Sequence, residues 1–256
     1  MADQHDARWQ GSLQAAVQDA RRDPGVAVLE GVHALKHAVR FGAEILRVAS
    51  PDPAETRRLL ARLAPDVMVG AAIEAVPAST WEALTSGGLP SPAIAIARRP
   101  PDVLDEVLAS RDVRAVVVLE APSHLGNVGA VIRVAAATDQ AGVVVVGDAD
   151  PWHPRAIRGA AGLQYAVPVG RRDVLPAGPR PLVAVTPDGD ALGTVDLPAG
   201  ALLAFGTERA GLSDDLVART DARVRLPMRP GVSSLNLATS VAALLYGAGM
   251  VGPESG

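Results

Sequence analysis

The chain has 256 residues, a formal net charge of −4 and no cysteine. That length suits one large domain or two of ordinary size, and the missing cysteines exclude disulfides, thiolate metal ligands and cysteine nucleophiles. Hydrophobic residues make up 48% and aromatic ones 3%, so the core is built from Val, Leu and Ala, and any surface for a polyanion is a local patch rather than an overall basic excess.

Residues 1 to about 22 read as a polar helix with Leu13, Ala16, Val17 and Ala20 on one side. Asp3, His5, Asp6 and Arg8 leave no signal-peptide core, and no later apolar run is long enough for a membrane span, so a cytoplasmic protein is expected. Val26 to Leu29 predicts a strand, Gly31 to Phe41 a helix bearing His33, Lys36, His37 and Arg40, and Ile45 to Val48 a strand. A helix around Glu55 to Leu63, a strand near Val67 to Val69, a helix near Ala78 to Leu84 and a strand at Ala93 to Ala97 follow. This alternation describes a small α/β domain over residues 1–100, closed by the linker Arg98-Arg99-Pro100-Pro101. Lys36 is the sole lysine of the chain.

The second half, residues 101–256, opens with a short helix at Val103 to Leu108. Val113 to Leu119 predicts a strand, Gly129 to Thr138 a helix, and Gly142 to Gly147 a strand buried on both faces. Pro154 to Gly162 reads as a helix, Ala166 to Val169 and Pro181 to Thr186 as strands, Leu202 to Phe205 as a buried strand, and Val224 to Leu226 as a strand stopped by Pro227. Ser233-Ser234 offer hydroxyls to cap a last helix that begins near Leu235 and ends at Gly247. Strands separated by helices predict a mostly parallel sheet. The last helix, Leu235 to Tyr246, is too apolar all round for a surface element, so its apolar residues, Leu244 and Leu245 among them, are buried either within their own domain or against a partner chain.

Three of these strands open at their carboxyl ends into polar loops bearing glycine, where open α/β sheets bind ligands. The loops read Asn127-x-Gly129-x-x-x-Arg133, then Gly206-x-Glu208-x-x-Gly211-Leu212, then Leu226-Pro227-Met228 leading to Ser234-Leu235-Asn236. Their order is specific, because three independent patterns have to coincide. On these motifs the chain resembles the SpoU, or TrmH-like, branch of the SPOUT RNA methyltransferases, from about residue 113 to 250. The stretch Leu29 to Leu35 is similar, less specifically, to the start of the small substrate-binding domain that many members carry.

The resemblance implies 2′-O-methylation of ribose in transfer or ribosomal RNA with S-adenosylmethionine. It also implies a trefoil-knotted catalytic domain, against the general expectation of an unknotted chain, and a homodimer paired through that domain. Residues 1–100 are then the RNA-recognising domain. By resemblance, backbone groups of Gly206, Leu226 and Leu235 hold the cofactor, with Met228 nearby and Thr186 and Asp188 lining the same pocket. Asn127, Arg133, Glu208, Ser234 and Asn236 form the implied catalytic set.

The residues themselves leave these roles open. Arg133 is either the base for the 2′-hydroxyl, a poor one at a pKa above about 12, or a phosphate clamp that stabilises a developing alkoxide. Asn127 either fixes its loop or bonds the substrate; Glu208 reads better as a loop-organising carboxylate than as a proton acceptor. Ser234 and Asn236 combine capping with substrate positioning, or cap only. No metal site is expected, since no closely paired ligands occur. Thr207, Arg209 and Ala210 in the second motif, and Leu237 and Ala238 in the third, depart from the family's commoner residues, which bears on substrate choice. The rival readings are an RNA-binding protein without turnover and a base methyltransferase.

Overall fold

Stretches in which Val, Ile, Leu and Ala run without polar interruption form strands buried on both faces, and the chain builds two sheets from them. The computed structural model describes residues 9, 11–85, 88–89, 91–207 and 210–252. It divides into two units, Met1–Pro101 with Trp152–Ala166, and Asp102–Pro151 with Val167–Gly256.

The first unit contains α1 (Leu13–Ala20), β1 (Val26–Glu30), α2 (Val32–Arg40), β2 (Ile45–Ser50), α3 (Pro53–Leu63), β3 (Ile73–Ala75), α4 (Ala78–Leu84) and β4 (Ile94–Arg98). The sheet order is β1-β4-β2-β3, antiparallel except for β2 with β3. Alternation along β1 and β4 sends Ala27, Leu29, Ala95 and Ala97 to a core shared with Leu35 and Leu60, and Val26, Val28, Ile94 and Ile96 to a second core with Leu13, Val17 and Trp9. The strand expected at Val67 to Val69 is absent; that segment is turn and coil, and the third strand is Ile73–Ala75.

Residues 152–166, which the sequence places among the C-terminal elements, lie in this first unit. Here α5 (Pro154–Ala160) and the turn behind it put Trp152, Ile157 and Tyr165 into the α2 side of the core. Arg158 and Arg21 both donate to the carboxylate of Glu30, which is 6% exposed. His37 Nδ1 donates to Ala161 O at 2.8 Å. Gly162, at φ +79°, allows backbone contact: a methyl group there would stand 2.4 Å from Ala34 O. His153 caps α5, accepting from Arg155 N at 3.1 Å.

The second unit contains α6 (Leu104–Ala109), β5 (Val116–Glu120), α7 (Leu125–Ala137), β6 (Gly142–Val146), β7 (Val169–Arg172), β8 (Leu182–Ala191), β9 (Leu202–Phe205), α8 (Asp214–Ala218), β10 (Ala222–Arg225) and α9 (Leu237–Gly247). Its sheet is parallel throughout, in the order β10-β8-β9-β5-β6-β7. Val116, Val118, Val144, Leu202 and Ala204 pack with Leu104, Leu108 and Leu216 on one face. Helices α7 and α9 pack against each other, and Val128, Ile132, Val241 and Leu245 on them are buried.

Several boundaries move. Helix α7 begins at Leu125 rather than Gly129, so Asn127 lies in its first turn. The strand expected at Ala166 to Val169 runs from Val169 to Arg172, because Leu163–Tyr165 forms a 3₁₀ turn first. Helix α9 starts at Leu237 with Asn236, not Ser233 or Ser234, as its cap, and continues through Gly247. Leu244 and Leu245 are fully buried within the chain itself, and so are not interface residues.

Candidate active site

Where strands β8, β9 and β10 end, three loops converge, and each needs its own local chemistry. Phe205 leads into Gly206, where a methyl group would lie 2.0 Å from the carbonyl carbon of Gly211, so only glycine lets the loop close on itself. Thr207 and Gly211 exchange backbone hydrogen bonds at 3.1 and 3.0 Å, Thr207 Oγ1 accepts from Ala210 N, and Gly211 sits at φ +69°. Glu208, an expected catalytic-set member, lies outside the described residues.

The loop is moored at its far end. Ser213 caps α8 by accepting from Leu216 N, and its own N–H and hydroxyl donate to Glu120 at 2.7 and 2.6 Å. Glu120, at the end of β5, was not singled out from the sequence; Ser213 followed by Asp214 and Asp215 is a helix-start signal that passed unread.

Along β8 the register against β10 jumps from Ala184 to Asp190, so residues 185–189 leave the ladder. Gly189 makes this possible, since a methyl group there would stand 2.5 Å from Val224 N. The displaced segment carries Thr186, whose Oγ1 is buried and meets no partner at hydrogen-bond geometry. That hydroxyl lies near enough to the Asp188 carboxylate to head the influences holding it below the usual carboxylate range, followed by the backbone and Arg223.

Beyond β10, Pro227 ends the ladder and a turn closes with Val232 N donating to Arg229 O and Gly231 at φ +88°. Asn236 then caps α9: its Oδ1 accepts from Ala238 N at 3.0 Å and Thr239 N at 3.4 Å, while its Nδ2 donates to Asn127 Oδ1 at 3.1 Å. Two motif residues 109 positions apart are thus in direct contact.

Between these loops is a cavity of about 520 Å³, within the range of small-molecule sites. Of the six residues expected at the cofactor, Thr186, Gly206, Leu226, Met228 and Leu235 line it, and Asp188, which pairs with Arg223, does not. Ser234 lines it too, with Ser233, Ser240, Phe205 and Arg225. Apolar walls for a flat base, scattered hydroxyls, an unsatisfied Thr186 oxygen and a glycine that brings backbone close suit an adenosine-bearing cofactor. Asn127, Arg133 and Asn236 are outside the lining, although Leu235 and Leu237, the chain neighbours of Asn236, belong to it. Arg133 is exposed on α7 and makes no hydrogen bond among the described residues. No cluster of acidic or histidine side chains fit for a metal occurs among the described residues, and no helix there is long and apolar enough to cross a membrane.

Comparison with known proteins bears on the same stretch. The SpoU rRNA Methylase family matches residues 114–246. A 23S rRNA (uridine(2479)-2′-O)-methyltransferase from Streptomyces viridochromogenes is 32% identical over 171 residues, 61% of this chain and 59% of that protein. The chain thus spans about three fifths of the length of that relative. The 23S rRNA (guanosine(2553)-2′-O)-methyltransferase RlmP of Bacillus subtilis is 28% identical over 230 residues, 86% of each chain. The crystal structure of the SpoU methyltransferase AviRb from Streptomyces viridochromogenes in complex with the cofactor AdoMet superposes with a TM-score of 0.73 at 26% identity, covering 95% of this chain and 96% of that one.

Proposed function

Because the chain belongs to the SpoU rRNA Methylase family, we propose that it transfers the methyl group of S-adenosylmethionine to a ribose 2′-hydroxyl of transfer or ribosomal RNA. The observation that carries this reading is the cavity at the ends of β8, β9 and β10, walled by both chain neighbours of the residue that bonds Asn127. Bound S-adenosylmethionine supplies a methyl group activated by a sulfonium, so the protein's part is positioning and charge stabilisation.

Backbone groups at Gly206, Leu226 and Leu235 hold the nucleoside, Met228 and Phe205 cover its base, and Thr186 gives its buried oxygen a partner. Arg133, exposed and unengaged, clamps a phosphate of the target nucleotide and steadies charge developing on the 2′-oxygen. Glu208 organises the loop between Gly206 and Gly211, and Ser234 contacts the substrate at the cavity mouth. The relatives are named for different nucleotides, uridine and guanosine, so the target base is set by features other than this shared site.

The reading extends to the whole protein. The second unit is trefoil-knotted; the first recognises RNA, with Lys36, Arg40 and the arginines of α3 as its basic face. The protein works in the cytoplasm as a homodimer through the outer side of α9, where Tyr246 is 58% exposed and Leu235, just before the helix, 38%.

Purified protein incubated with transfer and ribosomal RNA and labelled cofactor, followed by nucleoside analysis, tests the central claim. A labelled 2′-O-methylnucleoside is expected. Label on a base instead, or cofactor binding without any transfer, would replace the reading with base methylation or with a protein that binds RNA without turnover.

A further inference from the structure

The cavity at the ends of β8, β9 and β10 is walled by apolar side chains, hydroxyls and backbone, and among the described residues that line it Arg225 alone carries a charge. The strand sets its place. Val224 is fully buried, so Arg223 and Arg225, on either side of it in β10, turn to the opposite face. Arg223 spends its guanidinium on Asp188 at 2.9 Å. Arg225, nearer the loops, is half-buried, and its side chain makes no hydrogen bond or ion pair among the described residues. Its backbone is fixed, because Leu192 N donates to Arg225 O at 2.9 Å. A permanent positive charge on a rigid strand, in the wall of a largely apolar cavity, is a place for an anionic group.

We infer that Arg225 is a specificity-determining residue of the cofactor site, its guanidinium taking the carboxylate at the methionine end of S-adenosylmethionine. The inference rests on the methyl-transfer reading and names the part of the cofactor that the protein recognises by charge. The nucleoside end is neutral and is met by backbone and apolar walls, whereas the amino-acid end carries a carboxylate and an ammonium. No acidic side chain lines the cavity among the described residues, so the ammonium is left to hydroxyls, carbonyls and water. The carboxylate is the group that a charge in this wall can grip, and a guanidinium presents paired N–H donors that match its two oxygens. An RNA phosphate is the rival anion. The cavity favours the cofactor, because Arg225 is continuous with Leu226 and shares the wall with Met228, two residues on the nucleoside's side of the same site.

Decarboxylated S-adenosylmethionine, which lacks only that carboxylate, is the probe. Calorimetry on the wild-type protein comes first: if S-adenosylmethionine itself does not bind, the methyl-transfer reading fails and this proposal with it. Wild type is expected to bind S-adenosylmethionine about 10-fold more tightly than the decarboxylated form, the worth of a hydrogen-bonded charge pair that is only half-buried. Arg225→Met keeps an apolar stem and should weaken S-adenosylmethionine by about the same factor while leaving the decarboxylated form within about twofold, so that the preference disappears. Arg225→Lys keeps the charge without the fork and should retain about threefold of the preference; it carries the test if Arg225→Met fails to fold. Arg223→Met removes an equal charge that is already paired with Asp188, and should leave the preference intact. Equal affinity of wild type for the two ligands overturns the proposal. So does equal weakening of both by Arg225→Met, which would make Arg225 a structural part of the wall. Unchanged cofactor binding in Arg225→Met with a raised KM for RNA also overturns it, and would assign the guanidinium to a phosphate.

Discussion

Strands β1 and β5 finish on nearly the same letters, Val-Ala-Val-Leu-Glu and Val-Val-Val-Leu-Glu, and use their final glutamates in opposite ways. Glu30 is buried and held between Arg21 and Arg158, so both carboxylate oxygens are spent on the first unit's own framework. Glu120 instead gives both oxygens to Ser213, and so moors the loop that lines the cavity. The difference teaches that a polar residue at a strand's carboxyl end is only an opportunity. What covers it decides whether it becomes structure or support for a site.

The three tryptophans, Trp9, Trp81 and Trp152, all belong to the first unit, so their fluorescence follows that unit alone and lets the contrast be broken one side at a time. The largest effect is expected at Gly206. Gly206→Ala should lower cofactor affinity by about 100-fold or more in calorimetry, since the added methyl cannot coexist with the Gly211 backbone; the tryptophan transition in urea should not move. Glu30→Ala should do the reverse, lowering the stability reported by tryptophan by about 2–3 kcal/mol, less than for a wholly buried pair because both guanidiniums reach water. Cofactor affinity should stay within about twofold, since no cavity wall is touched.

Glu120→Ala should cost about 1–2 kcal/mol for two lost hydrogen bonds to a charged group, seen as roughly tenfold weaker cofactor binding with an unchanged tryptophan transition. If the tryptophan transition shifts as well, the contrast between the two glutamates fails.

The smallest effect concerns pH. Burial, opposed by the bond to Ala161 O, holds His37 below its ordinary value, with Lys36, Arg40 and His33 adding to the depression. The unfolded chain therefore binds a proton at this site more readily than the folded one, and stability of the first unit should fall as pH drops from about 6.5 toward 5. His37 is only half-buried, so the change should be a few tenths of a kcal/mol in urea midpoints, and His37→Gln should flatten it.

Much of the second unit was legible because its signals are local. A valine run marks a buried strand, and glycines at 206 and 211 mark a loop that must fold back on itself. Five of the six expected cofactor residues reach the cavity, Gly206 and Leu226 because they directly follow strand ends, whereas Asp188 falls outside it. What escaped the sequence was long-range. Nothing within residues 152–166 announces that they pack on α2, since their partners Glu30, Ala34 and His37 lie far upstream. The cap of α9 was misassigned to serine because both serines and Asn236 have capping chemistry, and only the contact with Asn127 selects among them. Leu244 and Leu245 looked available to a partner because an apolar helix does not state which of its sides its own domain covers.

The path of the chain has a consequence for anyone who would take the protein apart. It passes between the units near residues 101, 151 and 166, so a single protease cut after Pro101 yields two pieces, neither of which is a whole unit. The shorter piece would lack Arg158, Ile157 and Ala161, and the longer would carry them with an apolar face uncovered. Such a nicked protein should remain one particle on a sizing column and come apart only in denaturant. The first unit could be transplanted onto another enzyme only as two grafts, residues 1–101 together with 152–166.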